Sequence, residues 1–274
     1  MKIFIAVDME GISGINCPDY VLKDRRLYPA GQRLMTKDVN AAVAGCFDAG
    51  ADEVIVADIH SSSGNILVEE LDERALLIAG SPYNPRFPFL DKSVDGMFLM
   101  GYHAMAGTYR GNLEHTMSSA AWHKFCVNGV PYGEFESDAE LAAEAGVPVI
   151  FASGDDKLCE EAAAWLPGIE TAMVKQGLGR QAALSYSPKR GNEIVYKHAK
   201  RAVERLIAGE KFLLPEIPSP AVVTLTYKMV PDADAANVYG TRRIDGYTVE
   251  TTYERLSQRY GGIWEEYNEK QKIK

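Results

Sequence analysis

Cysteine is sparse in this chain, and no two of Cys17, Cys46, Cys126 and Cys159 form a Cys-x-x-Cys pair. A disulfide framework and a cysteine-rich zinc knuckle are therefore poor fits, and the four read as reduced thiols. Long apolar runs are missing too. The opening stretch meets Asp8 and Glu10 before a signal segment can develop, and no later stretch reaches membrane-spanning length. The expectation is a cytoplasmic protein with no membrane partner. Basic residues are in deficit, 29 Lys and Arg against 38 Asp and Glu, for a formal charge of -9 and a pI near 5.2. That is the wrong sign for holding a phosphate backbone, so no nucleic-acid partner is expected. No Gly-x-Ser-x-Gly elbow, no Walker loop and no Gly-x-Gly-x-x-Gly after a strand occurs, and there are no internal repeats.

The 274 residues are 46% hydrophobic and 24% charged, enough for a large core and a second small domain. Up to about residue 175, apolar runs alternate with amphipathic segments, the pattern of an α/β protein with a mostly parallel sheet flanked by helices. The expected strands are Lys2 to Val7, Glu53 to Asp58, Ala75 to Ala79, Met97 to Gly101, Val147 to Ala152 and Thr171 to Val174. Thr36 is expected to cap a helix that closes at Gly50, and Glu134 to Ala145 forms another. Asp155 or Asp156 starts a third, ended by Pro167-Gly168, and Ser187-Pro188 starts a longer one that stops near Gly209. A proline-rich connector, Leu214 to Pro220, then divides residues 1–218 from a smaller α+β subdomain over 219–274. Its expected elements are strands at Val222 to Tyr227 and Tyr247 to Thr251, a short helix at Asp232 to Val238, and a helix over Tyr253 to Lys270 with Gly261-Gly262 as its weak point.

Side chains alternate across a strand, so Asp8 and Glu10 emerge on one face where the first strand ends. Two adjacent carboxylates repel unless a cation lies between them. His60 follows the second strand and His103 the fourth, and in open α/β sheets the ligand crevice lies outside the carboxyl ends of the strands. Imidazole nitrogen mixed with carboxylate oxygen suits zinc and its divalent neighbours better than calcium or magnesium. Glu134, at a helix start, is either a further ligand or an acid serving the helix dipole. His115, in a polar loop, has the chemistry of a general base, a nucleophile or an oxyanion partner. His123 reads as structural and His198 as a surface residue.

The ordered set Asp8-x-Glu10-Gly11, Asp58-x-His60, Gly101-Tyr102-His103-Ala104, His115 and Gly133-Glu134 closely resembles the zinc-dependent D-aminopeptidases of the dipeptide-operon type. The likeness extends to Gly154-Asp155-Asp156, Val174-Lys175-Gln176 and Ser187-Pro188. The resemblance implies two zinc ions per subunit, Asp8 bridging them, Glu10 and His60 completing one and His103 and Glu134 the other. It also implies His115 as the catalytic histidine and a homodecamer of two pentameric rings around an internal chamber. Two departures stand out: Ala6 where the family usually has serine, and Glu114-His115-Thr116 where the histidine is otherwise flanked by serine.

The function expected is a dinuclear zinc aminopeptidase that removes N-terminal residues, D-amino acids among them, from short peptides or amino-acid amides. Two rivals remain at this point. One is another dinuclear metallohydrolase, acting on phosphoesters or non-peptide amides, for which Arg110 is thin support. The other is a non-catalytic metal-binding assembly protein.

Overall fold

The computed structural model describes residues 1–80, 84–238 and 240–272. In chain order the strands are β1 (Lys2–Val7), β2 (Glu53–Asp58), β3 (Ala75–Ile78), β4 (Gly96–Met100), β5 (Trp122–Val127), β6 (Val130–Pro131), β7 (Val149–Asp155), β8 (Glu170–Gly179), β9 (Ala182–Ser185), β10 (Ala221–Tyr227), β11 (Thr241–Arg243) and β12 (Thr248–Tyr253). The helices are α1 (Tyr28–Ala49), α2 (Glu134–Glu144), α3 (Asp156–Trp165), α4 (Pro188–Ile207), α5 (Val230–Ala235) and α6 (Trp264–Lys272).

Seven strands form one sheet in the order β3-β2-β1-β4-β7-β8-β9, parallel except for the β9 edge. All six strands expected there are present, with ends shifted by a few residues at most except for β8, which runs on through Gly179. β1 beyond Lys2 and the whole of β4 are apolar because both faces of the sheet are covered. Alternation divides them: Ile3, Ile5 and Val7 pack with Met35, Val39 and Val43 of α1 and with Val195, Ala199 and Val203 of α4. Phe4 and Ala6 face the opposite core, with Phe135 and Ala139 of α2 and Leu158 and Ala162 of α3.

The chain lays β2 and β3 on one side of β1 and then crosses to lay β4, β7 and β8 on the other. The strand order reverses between β1 and β4, and there the loops at their carboxyl ends part into a crevice.

A second, antiparallel sheet runs β11-β12-β10-β5-β6. It unites strands from beyond residue 219 with β5 and β6, which lie between β4 and α2. β5, β6, β9 and β11 are unexpected elements. Phe125, Val127, Val223, Leu225 and Val249 of this sheet join the α2/α3 core, so the late strands share a hydrophobic interior with the main sheet.

Three helix boundaries differ from expectation. Thr36 is not a cap: α1 begins at Tyr28 with Pro29 in its first turn, where a missing N–H costs nothing. The buried Thr36 hydroxyl instead donates to the Gln32 carbonyl, 2.8 Å away, and accepts from the Leu67 amide. The short helix is α5, starting earlier than Asp232 because Met229-Val230-Pro231 initiates it. Helix over Tyr253 to Lys270 is replaced by the end of β12, a 3-10 turn at Leu256–Tyr260 and α6. The break falls at Gly261-Gly262, both at positive φ.

Candidate metal centre

Two backbone hydrogen bonds pin the end of β1 to the end of β4: the Asp8 amide donates to the Met100 carbonyl at 2.9 Å, and the Gly11 amide to the Gly101 carbonyl at 2.7 Å. Gly101 sits at φ +68°, and a Cβ there would lie 2.3 Å from the Asp8 carbonyl oxygen. Only glycine allows this approach. Lys175 of β8 secures the other side of the loop, its buried ammonium donating to the Glu10 and Ile15 carbonyls. Burial draws that ammonium down to about 8.

The crevice gathers all six residues expected at the site. Asp8 presents Oδ1 to His60 Nδ1 at 2.8 Å and Oδ2 to His103 Nε2 at 3.3 Å, so its carboxylate faces both sides of the cluster. Glu10 Oε2 lies 3.1 Å from His60 Nδ1. Glu134, first residue of α2, brings Oε1 to 3.3 Å from His103 Nε2 and 3.6 Å from His115 Nε2, and takes a bond from the Met117 amide. All but His115, which is partly buried, are buried.

Each imidazole spends its other nitrogen on a backbone carbonyl: His60 Nε2 on Val21 at 2.9 Å, His103 Nδ1 on Ala104 at 3.1 Å, and His115 Nδ1 on Leu113 at 2.9 Å. A carbonyl oxygen only accepts, so those nitrogens carry the hydrogens. A neutral ring therefore turns a bare lone pair toward the carboxylates, an arrangement that repels unless a cation stands between them. Glu10 Oε2 and His103 Nε2, both buried, have no hydrogen-bond partner among the described residues.

Electrostatics run the same way. Burial opposes the charged form of Asp8, but the His103 and His60 imidazoles set against its two oxygens outweigh it and hold its carboxyl well below the usual range. Burial likewise opposes charge on Glu134, and His103 still brings it down to about 2. Burial disfavours charged imidazoles too, yet Glu10 and Asp8 at His60, and Glu134 and Asp8 at His103, lift both rings well above the ordinary histidine range. The centre is built to hold positive charge.

Two triads of potential ligand atoms lie within 4.8 Å of one another, Asp8-Glu10-His103 and His103-His115-Glu134. Three carboxylates with three lone-pair imidazoles, and orphaned donor atoms at its heart, fit a divalent metal of the zinc type.

The loops that carry these ligands are strained. Of the seven non-glycine residues with positive φ among the described residues, Ser61 and Ser63 follow His60, while Arg110, Leu113 and Met117 frame His115. Over the cluster opens a cavity of 520 Å³ whose walls include Asp8, Glu10, His60, His115 and Glu134.

A model of the D-aminopeptidase family matches residues 1–264. The chain belongs to the D-aminopeptidase family. A D-aminopeptidase of Bacillus subtilis strain 168 is 33% identical over 240 residues, which span 87% of this chain and 85% of that protein. The solved structure of the Zn-dependent D-aminopeptidase DppA from Bacillus subtilis, described as a self-compartmentalizing protease, superposes with a TM-score of 0.88 at 33% identity. The match covers 95% of this chain and 94% of that one. As a D-aminopeptidase family member the chain is a hydrolase of the aminopeptidase class.

Sequence reasoning missed Arg86, which reaches the cavity from the loop before β4 and sets Nη2 3.9 Å from Glu134 Oε2. No local pattern marks it. Lys175 does leave a trace, a basic residue directly after the apolar Ala172 to Val174 stretch of β8. His198 is half-buried, not a free surface residue, and its Nδ1 meets Glu170 at 2.6 Å.

Proposed function

We propose that this D-aminopeptidase family member is a zinc-dependent enzyme that releases N-terminal residues, D-amino acids among them, from short peptides at a two-metal centre. The observation that carries the reading is the set of three imidazoles, each fixed by a backbone carbonyl and turning its second nitrogen to buried carboxylates. Asp8 would be shared, with Glu10 and His60 holding one ion and His103 and Glu134 the other. Bound zinc supplies Lewis acidity toward the scissile carbonyl. His115 handles the proton: Nδ1 is committed to the Leu113 carbonyl, so Nε2 takes a proton from the water that attacks the scissile carbonyl carbon and returns it to the amine that leaves as the C–N bond breaks. Glu134 beside Nε2 and the stacked His103 ring fix the direction in which that nitrogen points.

Arg86 in the cavity is the feature a phosphoester hydrolase would also want. The family match along residues 1–264 favours peptide hydrolysis. Among the described residues no helix is long and apolar enough to cross a membrane, and cytoplasmic residence is part of the proposal. So is a homodecamer of two pentameric rings, supported by the relative described as self-compartmentalizing and by exposed Met173, Leu178, Leu184 and Tyr186 around the β8-β9 edge.

The test is amine release from dipeptides with D- or L-residues at the N-terminus, assayed as purified, after chelation and after zinc is restored. Release that chelator abolishes and zinc restores is expected. Release indifferent to chelator, or none from any dipeptide by zinc-loaded protein, would sink the reading.

A further inference from the structure

We propose that Arg86 determines substrate class by binding the C-terminal carboxylate of a short peptide, an inference that rests on the aminopeptidase reading above. Arg86 is held for this. Its Nε and Nη2 donate to Asp138 Oδ1 and Oδ2 at 2.6 and 2.9 Å, and Asp138 is oriented in turn by the Tyr102 hydroxyl at 2.7 Å. The guanidinium carbon lies 5.5 Å from the Phe87 ring centre and 5.8 Å from that of Tyr260, and the Arg86 amide is tied to the Tyr260 carbonyl.

This clamp occupies one edge of the fork. Among the described residues nothing accepts a hydrogen bond from Nη1 or from the second hydrogen of Nη2, which leaves two parallel donors on a side chain that is 18% exposed and lines the 520 Å³ cavity. A structural ion pair with Asp138 needs neither that opening nor those donors. A guanidinium edge with two free N–H groups matches a carboxylate in its own plane. Because the clamp fixes the rotamer beforehand, little side-chain entropy is lost when an anion docks.

Position decides which anion. Nη2 is 3.9 Å from Glu134 Oε2, the oxygen turned away from His103 and His115, so Arg86 stands behind the ligand cluster and not among its donor atoms. A peptide whose N-terminal bond lies at the cluster brings its C-terminus to this wall only if the chain is short. The cavity size is that of a small-molecule site. A free dipeptide is thereby favoured over its C-terminal amide, which lacks the charge.

The experiment compares kcat and KM for an alanyl dipeptide and for its C-terminal amide, using zinc-loaded wild type, Arg86→Gln and Arg86→Lys, with zinc content measured alongside. Wild-type hydrolysis of either substrate establishes the aminopeptidase reading independently, and only the ratio between substrates tests Arg86. The expected result is a wild-type preference for the free dipeptide. In Arg86→Gln, kcat/KM on it should fall roughly 10- to 100-fold, mostly through KM, the scale of a lost charged hydrogen bond. The amide should change little, zinc content should hold, and Arg86→Lys should fall between. An equal loss on both substrates, or one that tracks lost zinc, overturns the proposal by reducing Arg86 to a support for Glu134. Should neither variant fold, wild type still decides: no preference for the free dipeptide overturns it.

Discussion

The His103 and His115 rings lie face to face, centroids 3.9 Å apart and planes 9° from parallel. Both direct Nε2 at the same oxygen, Glu134 Oε1, yet they differ in setting. His103 is buried and reaches Asp8, while His115 is partly exposed at the cavity wall.

That difference separates binding from turnover. His115→Ala is expected to keep its zinc and its fold while losing roughly 100- to 10,000-fold in kcat, the span of general acid–base catalysis. Near-normal turnover of a dipeptide by this variant would remove the histidine from the reaction.

Asp8 presents one oxygen to each side of the cluster. Asp8→Ala should therefore lower zinc content as measured by elemental analysis, with activity falling beyond the roughly 10- to 100-fold that loss of a supporting partner costs. Unchanged stoichiometry would take Asp8 out of the centre.

Lys175 offers a test of the scaffold. Lys175→Met leaves the Glu10 and Ile15 carbonyls without their buried donor, at about 1–3 kcal/mol for an orphaned group. The midpoint of thermal unfolding should drop, and zinc affinity should weaken roughly 10-fold as the Glu10 loop loosens. A variant with wild-type melting and zinc titration curves would show that the ammonium is incidental.

Glu170, on β8, takes charge-assisted bonds from His198 and Arg205 of α4, with Arg201 at 3.5 Å. Burial opposes its ionised form, but His198 and then Arg201 outweigh it and hold the carboxyl below its ordinary 4.5. A lowered folded-state value means the unfolded chain binds the proton more readily, so this contribution is present above about pH 4.5 and is lost as pH falls through the folded value. The stability gap between wild type and Glu170→Gln should be widest at neutral pH and close on acidification. A gap that stays constant down to acid pH contradicts this account.

Much of this was legible in the sequence because β1, β2 and β4 are apolar runs that end in ligand-type residues. Asp8, Glu10, His60 and His103 declare themselves by position, before any contact is known. Glu134 was readable as a helix start, and its meeting with His103 and His115 was not, since that depends on how α2 packs. Sheet strands β5, β6 and β9 are short or half-exposed, and β5 lacks a clean alternation, so no period marked them. Arg86 was invisible for a different reason: its role comes from Asp138 and Tyr260, both far along the chain, and loops disclose no course. Thr36 misled because a threonine ahead of an alanine-rich run resembles a cap, while Pro29 had already begun the helix a full two turns earlier.

The pinning of β1 to β4 bears on how the protein is made. Asp8 and Glu10 come from one side of the strand-order reversal and His103 from the other, with the whole of α1, β2 and β3 between them. An early fragment of the nascent chain holds Asp8, Glu10 and His60 but not the strand against which the end of β1 is set. The full centre thus comes into being only when a long loop has closed, a slow and non-local event in folding. A metal that needs the full centre can load only after that closure, and it would then act as a latch, favouring the folded chain by mass action because the unfolded one offers no comparable site.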